Sequence, residues 1–383
     1  MSELSRIVIV GGGIGGLALA VALGRYGIAA DVIEKNPQSA VHGVGIIQPA
    51  NALRALRTIG LLDDCLRAGF PTDNWRYFEA DGTPLTSFQS LRMAGPELPA
   101  YSQLPRAELH RILARHASAA GASLRVGVTV TEFVENGAGV DVRFSDGGHG
   151  RYDLLIGADG IRSQIRRTIY PQYAEPTFTG LSAWRVTLPR PPALDYQAMY
   201  FSVGTKAGLI PLSDELMYLL LVTPEPGNPW FEPAELPRLL NDRLVDYSGL
   251  ASVRNQLSDT SSIVYTPIEE VALPEPWYIG HALLIGDAAH ASSPHLAQGA
   301  TMAIEDAVVL AELVAKGEPA EETLAAFMVR RYERCRFVQT TSRAIGEVGS
   351  LSDPAACEAR NEGFRQIVPG TPRAHEARLA QQI

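Results

Sequence analysis

A chain of 383 residues suggests two or three domains at roughly 150 residues each, and its 46% apolar and 20% charged content excludes disorder and coiled coil. Lys and Arg total 33 against 42 Asp and Glu, and the net charge of −9 disfavours nucleic acid and anionic membrane surfaces as partners. Cys65, Cys335 and Cys357 form no CxxC pair, which fits reduced thiols in a cytoplasmic protein and no structural metal.

The first predicted element is a strand, Arg6-Ile-Val-Ile-Val10, whose unbroken β-branched run suits a parallel strand covered on both faces. The uncharged stretch from Ile7 to Gly24 has the length of a membrane segment, but glycines at 11, 12, 13, 15 and 16 interrupt it, and a soluble βα unit is the better reading. A helix follows from Ile14 to Tyr26, stopped by Gly27, and Ala30 to Glu34 returns as a second strand. This βαβ opening sets the fold class as α/β. Arg106 to Ala120 carries Leu109, Leu113 and Ala117 at helical spacing, Leu124 to Phe144 alternates around a turn at Asn136-Gly137, and Asp153 to Ile156 is another buried strand. From Gly180 to Thr223 the strands lengthen and alternate (181–188, 197–203, 216–223), which predicts a largely antiparallel sheet. A helix over 234–247, a strand over 282–285 and helices around 299–315 and 321–345 return the chain to α/β grammar.

The expected architecture is a Rossmann-like dinucleotide-binding domain built from 1–72, 98–179 and 272–350. It is interleaved with a largely antiparallel substrate domain (73–97 and 180–271), with C-terminal helices and a tail over 351–383.

Three motifs carry chemistry. Gly11-Gly-Gly13-Ile14-Gly15-Gly16 fits G-x-G-x-x-G at 11, 13 and 16: Gly11 for the tight turn, Gly13 for close approach of backbone to a pyrophosphate, Gly16 for helix–strand packing. Glu34 ends the second strand, where a carboxylate can accept hydrogen bonds from a ribose; an acid there favours FAD or NAD over NADP. The second motif, Leu155-Ile-Gly-Ala-Asp159-Gly160-Ile-Arg162-Ser163, is again strand, turn and helix start, and equally allows Asp159 and Ser163 to be helix caps. In the third, a strand end presents Gly286-Asp287, a loop through His290 and Pro294 crosses, and Gln298-Gly299-Ala300 opens a helix whose free N–H groups can face an anion.

These motifs in this order resemble the flavin-dependent aromatic hydroxylases of the para-hydroxybenzoate hydroxylase fold, and Ala297-Gln298-Gly299-Ala300 is similar to the salicylate and hydroxynicotinate hydroxylase branch. The resemblance runs from Ile7 to about Arg343. It implies bound FAD, with Gly11, Gly13, Ile14, Gly15 and Gly16 at the pyrophosphate, Glu34 at the ribose and Arg106 at the flavin side chain. It implies Asp159 serving FAD and a transient NADH or NADPH, Asp287 at the ribityl or pyrophosphate region, Pro294 among the cofactor-binding residues, Gly299-Ala300 under the pyrimidine end, and Gly45, in Gly43-Val-Gly45-Ile46 with Asn51, beside the flavin. The implied reaction is NAD(P)H-consuming hydroxylation of a small aromatic or heteroaromatic substrate by O2 through a flavin C4a-hydroperoxide, in a monomer or homodimer.

For the pocket, Arg185 could pair with a substrate carboxylate or phenolate, or turn to solvent or to an acid; Tyr218 could hydrogen-bond a phenol, or be a core tyrosine; His42 could touch flavin or substrate. His290 and His295 have no clustered third ligand in sequence, so no metal is expected. Two alternatives stay open: an epoxidase or tailoring oxygenase of a larger polycyclic substrate, and a non-catalytic flavin-binding redox sensor.

Overall fold

The computed structural model describes residues 4–38, 44–368, 373–381 and 383. One half of the molecule is built on a six-stranded sheet ordered Tyr278–Ile279, Ala282–Leu284, Leu154–Gly157, Ile7–Val10, Ala30–Glu34, Ser123–Val126. Every neighbouring pair is parallel except the first. Ile7–Val10 lies in the middle and is buried throughout, as its uninterrupted apolar run requires. The helix Ile14–Gly24 packs against Arg106–Ala119 and Gly299–Val314. Register aligns Val10 with Gly157 and Gly157 with Leu284, so three strands release their chains at one edge of the sheet. In open α/β sheets that carboxyl edge is where ligands bind.

The second half is a seven-stranded sheet ordered Val264–Glu270, Thr177–Pro189, Leu216–Pro224, Lys206–Pro211, Gln197–Phe201, Asn74–Glu79, Pro84–Gln89. It is antiparallel apart from the pairing of Gln197–Phe201 with Asn74–Glu79. Its core gathers Trp184, Val186, Leu209, Leu219 and Tyr247, separate from the larger core around the parallel sheet. Small sheets of three strands (Gly45–Pro49, Tyr101–Pro105, Phe70–Thr72 and Val130–Glu135, Val140–Phe144, His149–Tyr152) complete the strand inventory of the described residues.

Two expectations shift. Leu124 lies outside the hairpin: Ser123–Val126 pairs in parallel with Ala30–Glu34, and the hairpin around Asn136-Gly137 begins at Val130. Ser123–Val126 is an edge strand with Leu124 and Val126 exposed, so its apolar residues mark no buried face and alternation alone does not show which strand it pairs with. Beyond the thirty-residue helix Ala320–Gly349, the chain forms two further helices, Pro354–Arg365 and Ala374–Leu379. Among the described residues no helix is long and apolar enough to cross a membrane.

Candidate active site

The glycine turn divides its labour as its spacing implies. Gly11 holds φ +112°, and a Cβ there would overlap the Ala158 carbonyl of the neighbouring turn. A Cβ on Gly16 would overlap the Gly11 carbonyl and press on Ile9, so helix and strand approach this closely only through glycine. Gly13 differs: nothing lies within 4 Å of where its Cβ would stand. It caps the helix Ile14–Gly24 without a side-chain hydrogen bond, which leaves the first-turn N–H groups free for an anion.

That opening leads into a cavity of about 1010 Å³. Gly13, Ile14, Gly15, Gly45 and Arg106 line it on one side, and Asp287, Pro294, Gly299 and Ala300 on another. Gly299 starts the sixteen-residue helix Gly299–Val314, also without a side-chain cap, and its Cβ position lies 3.8 Å from Asp287 Oδ1. A carboxylate and two uncapped helix N-termini thus border one space.

Four residues of the expected site lie outside the cavity lining. Gly11 and Gly16 act beneath it, as described. Glu34 accepts from the Gly12 N–H at 2.9 Å and the Asn36 N–H at 2.7 Å, and lines a small separate recess with Gly12 and Arg125. Asp159 accepts from Ser163 Oγ at 2.5 Å and from the N–H groups of Gln164 and Ile165, which makes it a cap for Gln164–Ile169; its neighbours Ala158 and Gly160 are the ones that reach the cavity. His42 and Gly43 lie outside the described residues.

The Gly299 turn is fixed from behind by a buried polar network whose pairings join residues far apart in the sequence. Asn51 exchanges hydrogen bonds with Gln298 and donates to Glu305 at 3.0 Å. Glu305 pairs with Arg331 and Arg334, and Arg331 also reaches Asp306 at 2.7 Å. Asp306 accepts from the Gly286 N–H and from His290 Nε2 at 2.7 Å, tying the Asp287 turn to the same network. Burial would raise the Asp306 carboxyl, but His290 and Arg331 hold it well below its ordinary value. The sequence offers His290 no third ligand, whereas Asp306 and Cys335 lie close to it. Both Asp306 oxygens are taken by Arg331, His290 and a backbone N–H, so this group is an ion-pair network.

The far wall comes from the antiparallel sheet and the C-terminal helices. Tyr77 meets Phe88, Phe201 and Phe364 edge-on at 5.1–5.2 Å between centroids, and all four rings line the cavity. Arg185 reaches the cavity from the middle of Thr177–Pro189; its guanidinium donates to Thr266 Oγ1 at 3.0 Å and pairs with no carboxylate among the described residues. Tyr218 also lines the cavity, buried and packed where a Gly45 side chain would be, and burial pushes its hydroxyl up to about 12. Phe364, Arg373 and Glu376 come from the stretch that the sequence treats as a tail.

A glycine-rich βα turn opening into a large cavity beside a second sheet is the layout of a dinucleotide-binding α/β protein. Residues 5–341 match the family described as FAD binding domain. The 2-heptyl-3-hydroxy-4(1H)-quinolone synthase of Pseudomonas aeruginosa is 33% identical over 98% of this chain and 97% of its own. The 6-hydroxynicotinate 3-monooxygenase of Pseudomonas fluorescens is 30% identical over 93% of this chain and 95% of its own. Among solved structures, Klebsiella pneumoniae HpxO complexed with FAD and uric acid superposes with a TM-score of 0.85 at 25% identity, covering 95% of this chain and 93% of that one. The chain belongs to the FAD binding domain family, and it is an enzyme of the FAD-dependent monooxygenase type.

Proposed function

We propose that this enzyme hydroxylates a small aromatic or heteroaromatic substrate with O2 at the expense of NADH or NADPH. The observation that carries the reading is continuity: one cavity joins the uncapped helix N-termini at Gly13 and Gly299 to an aromatic wall bearing Arg185. The names of the two relatives and the ligand of HpxO each contain an oxygen-bearing nitrogen heterocycle, which supports that substrate class.

The residues fit FAD. The open Cβ position of Gly13 is a cradle that any side chain would fill, and the free N–H groups beside it suit a pyrophosphate. In this reading Gly11 to Gly16 hold the pyrophosphate. Glu34 keeps lone pairs for a ribose beyond its two backbone bonds. Arg106 and Asp287 flank the flavin side chain, Asp159 shapes the turn whose neighbours touch it, and Gly299-Ala300 support the pyrimidine end. FAD, when bound, supplies the hydride-accepting and oxygen-activating chemistry. This chain's residues orient the ring against the aromatic wall, exclude water, and place Arg185 where an acid or a ring oxyanion would sit.

The test is nicotinamide oxidation by purified holoenzyme across a panel of salicylate, 6-hydroxynicotinate, 4-hydroxyquinoline and 2-heptyl-4-quinolone, with peroxide followed in parallel. At least one compound should stimulate oxidation with little peroxide. Arg185→Ala should keep its FAD but raise KM or divert turnover to peroxide. Flat rates throughout contradict the reading, and unchanged coupling in the variant removes Arg185 from the substrate site.

A further inference from the structure

Of 33 basic residues in this chain, only Lys35, Lys206 and Lys316 are lysines. Lys35 and Lys316 are exposed, whereas Lys206 is 4% exposed and lines the active-site cavity. A sequence that chooses arginine almost everywhere places its one buried lysine here. The difference matters chemically, because a guanidinium stays protonated while a buried amine can give up its proton.

Lys206 opens the strand Lys206–Pro211, opposite Phe201 of the aromatic wall. Among the described residues it forms no ion pair, and its one hydrogen bond is to the Ile345 carbonyl at a long 3.4 Å. The charge that acts on it most is Arg360 from the helix Pro354–Arg365, and His295, from the turn before Gly299, faces both Lys206 and Arg185. Burial first, and then any positive charge on Lys206 or Arg185, push His295 down to about 2, so it stands neutral. The last turn of Ala320–Gly349 is cut away to seat the pair. A Cβ on Gly346 would overlap the His295 ring, and one on Gly349 would stand 2.6 Å from Lys206 Nζ. The carbonyl end of that helix gives a cation there roughly 0.3–1 kcal/mol, too little to repay burying an unpaired ammonium. The position therefore lacks a structural reason for a permanent charge.

Resting on the hydroxylase reading above, we propose that Lys206 is the base that deprotonates the substrate's ring hydroxyl in the cavity. The O–H bond breaks, its electron pair stays on the ring oxygen, and the proton moves to the lone pair of Nζ; no electrons change hands between molecules. The ammonium so formed faces the new oxyanion, and the ring gains the electron density that attack on an electrophilic oxygen requires. The proton returns to the ring oxygen when product leaves. Burial, with Arg360 adding repulsion, brings the amine down to about 7, where it can act as acceptor near neutral pH.

Lys206→Met and Lys206→Arg are compared with wild-type holoenzyme on the four panel compounds named above. Both variants should retain FAD by absorbance, and both should lose about 10²-fold or more in substrate-stimulated turnover, together with the wild type's neutral-range limb in the pH–rate profile. Near-wild-type turnover in Lys206→Arg would overturn the base and leave only a charge requirement; near-wild-type turnover in Lys206→Met would remove the residue altogether. Biosynthetic [6-13C]lysine gives an independent readout, since three side-chain signals can be followed in the holoenzyme. The signal absent from Lys206→Arg should titrate near neutrality; if that signal instead stays unchanged up to about pH 9, the assignment is overturned. A wild type that oxidises neither nicotinamide with any panel compound defeats the hydroxylase reading and the base with it, whereas active wild type with active variants defeats the base alone.

Discussion

Single residues decide where polar groups are spent in this enzyme. Glu34 and Asp159 both occupy motif positions, yet both carboxylates are already engaged by backbone N–H groups of the turns they belong to. Arg185 and Lys206 are the reverse: each reaches the cavity without a carboxylate partner among the described residues. For Lys206 this has a consequence for stability. Its folded pKa lies below the unfolded value of 10.5, so the unfolded chain binds more protons between about pH 10.5 and 7. Stability contributed by the neutral amine is therefore lost as pH falls through that window and levels off below it. In ligand-free holoenzyme, Lys206→Met should be more stable than wild type by roughly 2–5 kcal/mol at pH 6, with the gap closing toward pH 10, by urea denaturation. Equal stabilities at pH 6 would mean that the ammonium is not penalised where it sits.

At the scale of elements, the opening βαβ unit was legible because its signals are local. Four apolar strand residues, a glycine turn, an Ala- and Leu-rich helix and a closing Glu34 all fall within thirty positions. The same turn makes a sharp pair of predictions. Gly13→Val adds its side chain to open space and should fold with near-wild-type stability yet purify with little FAD; Gly16→Val puts its Cβ on the Gly11 carbonyl and should fail to fold or lose several kcal/mol. Circular dichroism and bound-flavin absorbance separate the outcomes, and full flavin occupancy in Gly13→Val would contradict the cradle. Elements whose meaning depends on distant partners were not legible. Ser123–Val126 alternates like a hairpin strand but pairs in parallel with Ala30–Glu34, and Lys206–Pro211 is a six-residue strand whose apolar run is headed by a lysine. The helix Pro354–Arg365 has no motif, and only the fold shows that Phe364 closes the wall against Tyr77 and Phe201.

Across the whole molecule, the parallel sheet supplies turns with free N–H groups and the antiparallel sheet supplies rings and cations, and the cavity lies where both meet. The cofactor side was readable because G-x-G-x-x-G and the Gly286-to-Ala300 segment carry their own geometry. The opposite wall of the cavity was not, because Tyr77, Arg185, Phe201, Lys206, His295 and Phe364 are brought together only by the packing of separate elements. The network from Asn51 through Glu305 and Arg331 to Asp306 shows the same principle, since it fixes two ligand-facing turns from partners nearly three hundred residues apart. Its polar atoms are committed to holding the geometry of the Gly286 and Gly299 turns. The most direct measurement is the fate of molecular oxygen. Holoenzyme is supplied with NADH or NADPH, the panel compound that stimulates turnover best, and 18O2, and the aromatic product is analysed by mass spectrometry. One 18O atom per product molecule is the expected result; a product without label, or all the label recovered in peroxide, would contradict a hydroxylase.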